Sequence, residues 1–203
     1  MNQQPLFSRA PNEKIVLHVG CGRLDPALLA PPFRKPPWRQ VRVDIDPEVK
    51  ADIIASITNM PAVPSAACDA VFSANTLEHL YPHEVGTALG EFRRVLRDDG
   101  FAMLGVPDLR LIARAVLDDK LEETAYVSSV GPVAPIDMLF GFRPALRSGN
   151  LWMAHRTGFT ATSLRNALAA AGFDVIEIRE GQTDLIAIAR PKVSGASASP
   201  PAA

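Results

Sequence analysis

Two constellations in this 203-residue chain have the residue types and spacing to do chemistry. The first is Gly20-Cys21-Gly22, directly after the apolar run Ile15–Val19, with Asp44 placed 24 residues beyond Gly20 at the end of a second run, Val41–Ile45. Small residues in a strand-to-loop turn let a ligand approach the backbone, and exposed amide N–H groups there can bind an anionic group. A carboxylate ending the next strand can accept hydrogen bonds from both hydroxyls of a ribose. A glycine pair by itself serves many tight turns; joined to the acid, it points to a nucleoside-containing ligand. A dinucleotide fingerprint would want a third glycine three residues after Gly22, where this chain has Asp25. An acid there would repel a pyrophosphate, which disfavours NAD and FAD.

The second constellation is His155-Arg156, in MAHRTGFT. It joins a base that titrates near neutral pH to a fixed cation suited to a carboxylate or phosphate. Two readings stand: catalysis or substrate binding, or a tie of this loop to the sheet through backbone carbonyls. His79 and His83 are four apart, but Pro82 interrupts a regular helix between them, so capping and packing are expected there and no metal site. His18 sits inside the first apolar run and reads as a buried, hydrogen-bonded residue with an indirect role at the ligand. Arg93, Arg94 and Arg97 read as a solvated helix face balanced by Glu91, Asp98 and Asp99. Trp38, Trp152 and Phe140 could stack on a planar substrate, although core packing is the commoner fate of lone aromatics.

The elements that must hold these residues follow from periodicity. Ile15–Val19, Val41–Ile45, Ile53–Ala55, Ala70–Ser73 and Phe101–Val106 are short apolar runs, as expected for parallel strands buried on both faces. Val85, Leu89, Phe92 and Leu96 mark an amphipathic helix stopped at Gly100, and the alternation of residues 109–117 a second. Thr162 can cap a third, with Leu164, Leu168 and Ala171 inward. Residues 175–178 and 185–189 can pair as a hairpin around Glu180-Gly181-Gln182. The expectation is an α/β fold: a doubly wound, mostly parallel, Rossmann-like sheet with a C-terminal antiparallel hairpin. Five prolines between Gly22 and Arg39 leave about two helical turns around Pro26–Ala30 for the first crossover.

One domain over residues 13–192 is expected, with a flexible N-terminus at 1–12 and a disordered tail at 193–203. An insertion at about 118–150 lacks a clean period and is a candidate lid or substrate wall; its MLFGF stretch could cover the substrate or form a homodimer contact. The net charge of −1 argues against a general nucleic-acid binder. No apolar run reaches the roughly 18 residues of a membrane span. No secretory signal is visible and two cysteines make no disulfide framework, so a cytoplasmic protein is expected.

The chain resembles the class I S-adenosylmethionine-dependent methyltransferases, particularly the small bacterial ones. VLHVGCG (16–22) looks like their first motif and VRVDIDP (41–47) like their second-strand acid motif; CDAVFSANTLEHL (68–80), EFRRVLRDDGFAMLGVP (91–107) and AAGFDVIEI (170–178) follow in the family's order. The resemblance implies S-adenosylmethionine as cofactor and S-adenosylhomocysteine as product. It implies that Gly20, Cys21 and Gly22 approach the methionine end, that Asp44 holds the ribose, and that Ile45 packs on the adenine. Ile57 and Thr58 would line the adenine, while Ala74 and Asn75 would face the methionine portion and the transferable methyl. Three departures stand out: His18 where an acid is common, Ser56 where Asp commonly opens the adenine loop, and the proline-rich first crossover. The expected activity is methyl transfer to an O- or N-nucleophile of a small molecule, mainly by positioning, with His155 as base. The rival is a non-catalytic binding or regulatory partner that keeps the fold with a weakened cofactor pocket.

Overall fold

The β-branched runs and amphipathic segments alternate along the chain as expected. In the computed structural model, which describes residues 5–22, 29–128 and 131–192, the strands are β1 (Lys14–Val19), β2 (Trp38–Asp44), β3 (Ile53–Ile54), β4 (Cys68–Ala74), β5 (Leu96–Pro107), β6 (Tyr126–Ser128), β7 (Gly131–Val133), β8 (Phe173–Glu180) and β9 (Asp184–Pro191). The helices are α1 (Pro82–Val95), α2 (Leu109–Leu117), α3 (Pro135–Phe140), α4 (Arg143–Arg147) and α5 (Ala161–Ala170). Seven strands form one sheet in the order β3-β2-β1-β4-β5-β9-β8. β1 through β5 run parallel, while β9 lies antiparallel to both β5 and β8.

Strand β1 buries every residue after Lys14, which requires cover on both faces. Ile15, Leu17 and Val19 point to a core built with Leu89 and Phe92 of α1 and Leu164 and Leu168 of α5. Val16 points the other way, into a smaller cluster with Phe33 and Ala70, against which Trp38, Phe72, Phe101 and Met103 pack. Trp38 stands edge-on to Phe33 and Phe101, so it is a core residue rather than a stacking platform.

Several boundaries differ from expectation. The α1 helix ends at Val95, not at Gly100: Leu96 leaves the helix to pair with Cys68 as the start of β5. Thr160, not Thr162, caps α5, accepting the Ser163 N–H at 3.2 Å. Residues 5–12 are not a loose arm. Phe7 packs on the main core, and Arg9 meets the Asp69 carboxylate at 2.6 Å. Asp69 also accepts the Ile15 amide at 2.7 Å, clamping this segment to the start of β1. Most of the expected turns around Pro26–Ala30, together with Asp25, Met1–Gln4 and the 193–203 tail, lies outside the described residues.

The 118–150 insertion is ordered where it is described, carrying the β6–β7 hairpin, α3 and α4. Val133 and Met138 pack on Ile112 of α2, with Leu139 and Phe142 beside them, so most of MLFGF faces inward while Phe140 stays 58% exposed. Buried Asp137 staples the segment. It accepts from the Ala134 amide at 3.0 Å and from Arg143 Nε at 2.7 Å. Burial opposes its charge, but Arg143 and these amides prevail and hold the carboxyl below its ordinary range.

Candidate active site

Strand order reverses between β1 and β4: the chain passes from β1 toward β2 and β3 on one side, then returns to β4 and β5 on the other. In an open α/β sheet, ligands bind outside the carboxyl ends of the strands at such a switch point. Val19 is level with Val43 and with Ser73, so Gly20, Asp44 and Ala74 come side by side there.

Asp44 is 8% exposed. One carboxylate oxygen accepts the Gly22 amide at 2.7 Å and the other the Asp46 amide at 3.0 Å. Each oxygen keeps lone-pair capacity for a further donor. The Cys21 amide bonds the Val43 carbonyl at 3.2 Å, so the amides of Cys21 and Gly22 are engaged within the fold. This corrects the expectation that they stand free for an anionic group. The reason is that Asp44, at the end of the adjacent strand, lies within reach of the turn. Gly20 has φ +62°, and a Cβ there would meet the Thr76 side chain at 2.3 Å. Glycine is therefore demanded by Thr76 and by the left-handed backbone. Cys21 is buried, which pushes its thiol up to about 11.

His18 is buried as expected, its Nδ1 accepting from Gln40 Nε2 at 2.7 Å, with Phe72 against its ring at 4.9 Å. Burial first, and the nearby Arg42 guanidinium second, bring it down to about 4. Arg42 also donates to the Gly22 carbonyl at 2.9 Å. Of the residues expected to meet the adenine, Ile45 is 38% exposed, whereas Ile57 is 6% exposed and belongs to the main core. Thr58 and Ser56 share a hydroxyl hydrogen bond of 2.7 Å at the loop surface. Asn75 is exposed at φ +51°, its amide held by the Gly105 carbonyl at 2.9 Å.

The residues that follow form a second cluster. Leu77–His79 makes a single 3-10 turn, which buries Glu78 and brings its carboxylate and the His79 and His155 rings together, with ligand-capable atoms within 4.8 Å of one another. The rings stand edge to face at 4.9 Å. His79 Nδ1–H donates to the Ala154 carbonyl at 3.1 Å and His155 Nδ1–H to the Met138 carbonyl at 2.7 Å. Neither oxygen of Glu78 has a hydrogen-bond partner. Burial pushes Glu78 up to about 8, although its own amide and that of Thr76 lean toward the charge. Burial, then the His79 ring, lowers His155 to about 4, against the Met138 carbonyl. His79 is lowered by burial too, partly offset by backbone carbonyls and by the Asp44 carboxylate.

His83 stands apart, stacked on Tyr81. Arg156 follows the tying reading: it donates to the His79 carbonyl at 2.6 Å, lies over the Tyr81 ring, and its amide bonds the Glu78 carbonyl at 2.8 Å. Its guanidinium positions the His79 turn. Arg94 binds Glu91, and Arg93 and Arg97 meet Asp98 and Asp99, as a balanced helix face should.

A sequence model described as a methyltransferase domain matches residues 17–104, the segment from β1 through β5 that frames this site. That segment carries the likeness to a methyltransferase domain. Among solved structures, a Burkholderia thailandensis 1,6-didemethyltoxoflavin-N1-methyltransferase, determined with its substrate and S-adenosylhomocysteine, is 17% identical, with TM-score 0.57 over 90% of this chain and 73% of that one. A TehB-like methyltransferase from Corynebacterium glutamicum is 15% identical, with TM-score 0.54 over 90% and 83%. An S-adenosylmethionine-dependent methyltransferase from Methanosarcina mazei is 13% identical, with TM-score 0.60 over 90% and 94%. At these identities the likeness is one of fold: the class I, Rossmann-like methyltransferase architecture. Among curated proteins, no sequence matches the chain.

The cofactor of such domains is S-adenosylmethionine, and the residues of this chain fit its nucleoside half. Asp44 keeps acceptor capacity toward the switch point, and Ile45 offers an exposed apolar face. At the methionine end, the fold itself uses two amides of the glycine turn. Glu78 and His79 carry no sequence signal that separates them from an ordinary turn before a helix. The orphaned carboxylate and the contact with His155 appear only on folding.

Proposed function

We propose that the protein transfers the methyl group of S-adenosylmethionine to an oxygen or nitrogen nucleophile of a small molecule. The observation that carries this reading is the arrangement at the switch point: Asp44 and Ala74 end the two strands that flank β1, Asn75 follows Ala74, and Glu78, His79 and His155 lie just beyond. Asp44 holds the ribose and Ile45 the adenine, while Gly20, Ala74 and Asn75 face the methionine portion. Methyl transfer is an in-line displacement at a sulfonium, so alignment supplies most of the rate. The nucleophile's lone pair forms the new bond as the carbon–sulfur pair returns to sulfur, leaving a neutral thioether. A proton, where the acceptor must lose one, goes to the unprotonated Nε2 of His155, whose other nitrogen is fixed on the Met138 carbonyl.

A small acceptor is supported by a groove of about 350 Å³ on the sheet face opposite α1, within the usual range for small-molecule sites. Phe72 and Met103 line its floor, Glu177 and Arg179 line it too, and Ala74 joins it to the carboxyl end of β4. The engaged amides of Cys21 and Gly22 favour the second reading, a methyltransferase fold kept as a binding partner with a weakened pocket. Calorimetry with S-adenosylmethionine and S-adenosylhomocysteine, with NAD as control, separates the two. Binding near micromolar, about −8 kcal/mol, supports the enzyme. Absent binding to folded, cofactor-free protein turns the assignment to the partner.

A further inference from the structure

The geometry points to a binding site for one divalent transition-metal cation of the zinc class, formed by Glu78, His79 and His155. Two independent features converge on it. First, the Glu78 side chain is 1% exposed with both oxygens unpartnered, and a buried carboxylate is costly unless it is paired or coordinates a metal. Second, each imidazole donates Nδ1–H to a backbone carbonyl, Ala154 for His79 and Met138 for His155. This is how metal-ligating histidines are oriented: the outer N–H is fixed, and the lone pair of Nε2 is left for the ion.

The three ligand-capable atoms lie within 4.8 Å of one another, against about 3.3 Å between neighbouring ligand atoms on a tetrahedral zinc ion. Modest side-chain rotation closes that gap. Two imidazoles and a carboxylate form a donor set suited to zinc, which leaves a fourth position for water or an acceptor atom. The Asp44 carboxylate and the Arg156 guanidinium both act on His79 with opposite sign, so the surroundings do not repel a cation outright. The ion and a proton compete for the same Nε2 of His155, so the base role described above belongs to metal-free protein. The site itself does not depend on methyl transfer.

Full-length protein stripped by a chelator is titrated with Co2+, read by its visible absorption, and the Co2+ is then displaced by Zn2+. One equivalent should bind at micromolar concentration or below and raise the melting temperature. His79→Ala, His155→Gln and Glu78→Gln should each weaken binding at least tenfold. Circular dichroism checks each variant. Glu78→Gln, which keeps the buried volume and removes only the charge, carries the test if a histidine variant fails to fold. Binding no tighter than millimolar, or one equivalent held equally well by the folded variants, overturns the proposal.

Discussion

Asp44 anchors the glycine turn through the Gly22 amide, and in the proposed function it also presents its remaining lone pairs to a ribose. Asp44→Ala removes both. Cofactor affinity should fall by about 1.5–3 kcal/mol, the size of a hydrogen bond to a charged group, with calorimetry as the measure. Unchanged affinity in a folded variant would remove Asp44 from the cofactor site. His155 differs because its backbone amide and Nδ1 are bound to the Phe140 and Met138 carbonyls, while Nε2 is free for chemistry. In chelator-treated protein, His155→Ala should lower kcat about 10²-fold or more and leave S-adenosylhomocysteine affinity intact. Equal turnover in the two proteins would return His155 to a purely structural role.

At the scale of elements, the site depends on how the insertion docks. The segment from α3 to α5 reaches the Leu77–His79 turn through contacts far apart in sequence. Gly141 bridges Ala154, Phe140 holds the His155 amide, and Arg156 holds the turn itself. Gly141 has φ +106°, and a Cβ would fall 2.1 Å from the Met153 carbonyl oxygen. Gly141→Ala must therefore separate the insertion from the 151–157 loop, at a cost of about 2 kcal/mol. Amide hydrogen exchange should accelerate in residues 140–157 while the β1–β4 core keeps its protection. Exchange unchanged in that loop would show that the bridge does not hold it. The insertion was recognisable in sequence as an aperiodic stretch between good elements, but its docking was not. A staple such as Asp137–Arg143 is two ordinary surface residue types until the backbone turns them together.

For the whole molecule, the buried polar groups set how stability responds to pH. His18 titrates near 6.5 when unfolded and near 4 in the folded sheet, because burial disfavours its charge. Above pH 6.5 both states are neutral there and its contribution is complete. Between about 6.5 and 4 the unfolded chain takes up the proton first, so stability falls as pH falls. The depressed value is worth about 3 kcal/mol across that window. Denaturant melts from pH 7 to 4 should show this slope, to which the equally depressed His155 adds, and His18→Gln should make it shallower. An equal slope in the variant would place the linked proton elsewhere.

The sequence by itself determined the fold and the meeting of the glycine turn with Asp44. Short β-branched runs between amphipathic segments dictate a parallel sheet buried on both faces, and the hairpin around Gly181 dictates its antiparallel edge. Gly20 and Asp44 end strands that must lie side by side, so their meeting follows once the strands are known. These are local signals, written over five to fifteen residues by periodicity and turn chemistry. Only the tertiary structure decided that the Cys21 and Gly22 amides are taken, that Arg156 donates to the His79 carbonyl, and that Glu78 and His79 meet His155. The contacts of His155 and Arg156 with the Leu77–His79 turn join residues more than seventy positions apart across two irregular segments. No periodicity reports their distance, and an unpartnered carboxylate exists only once burial has removed its water.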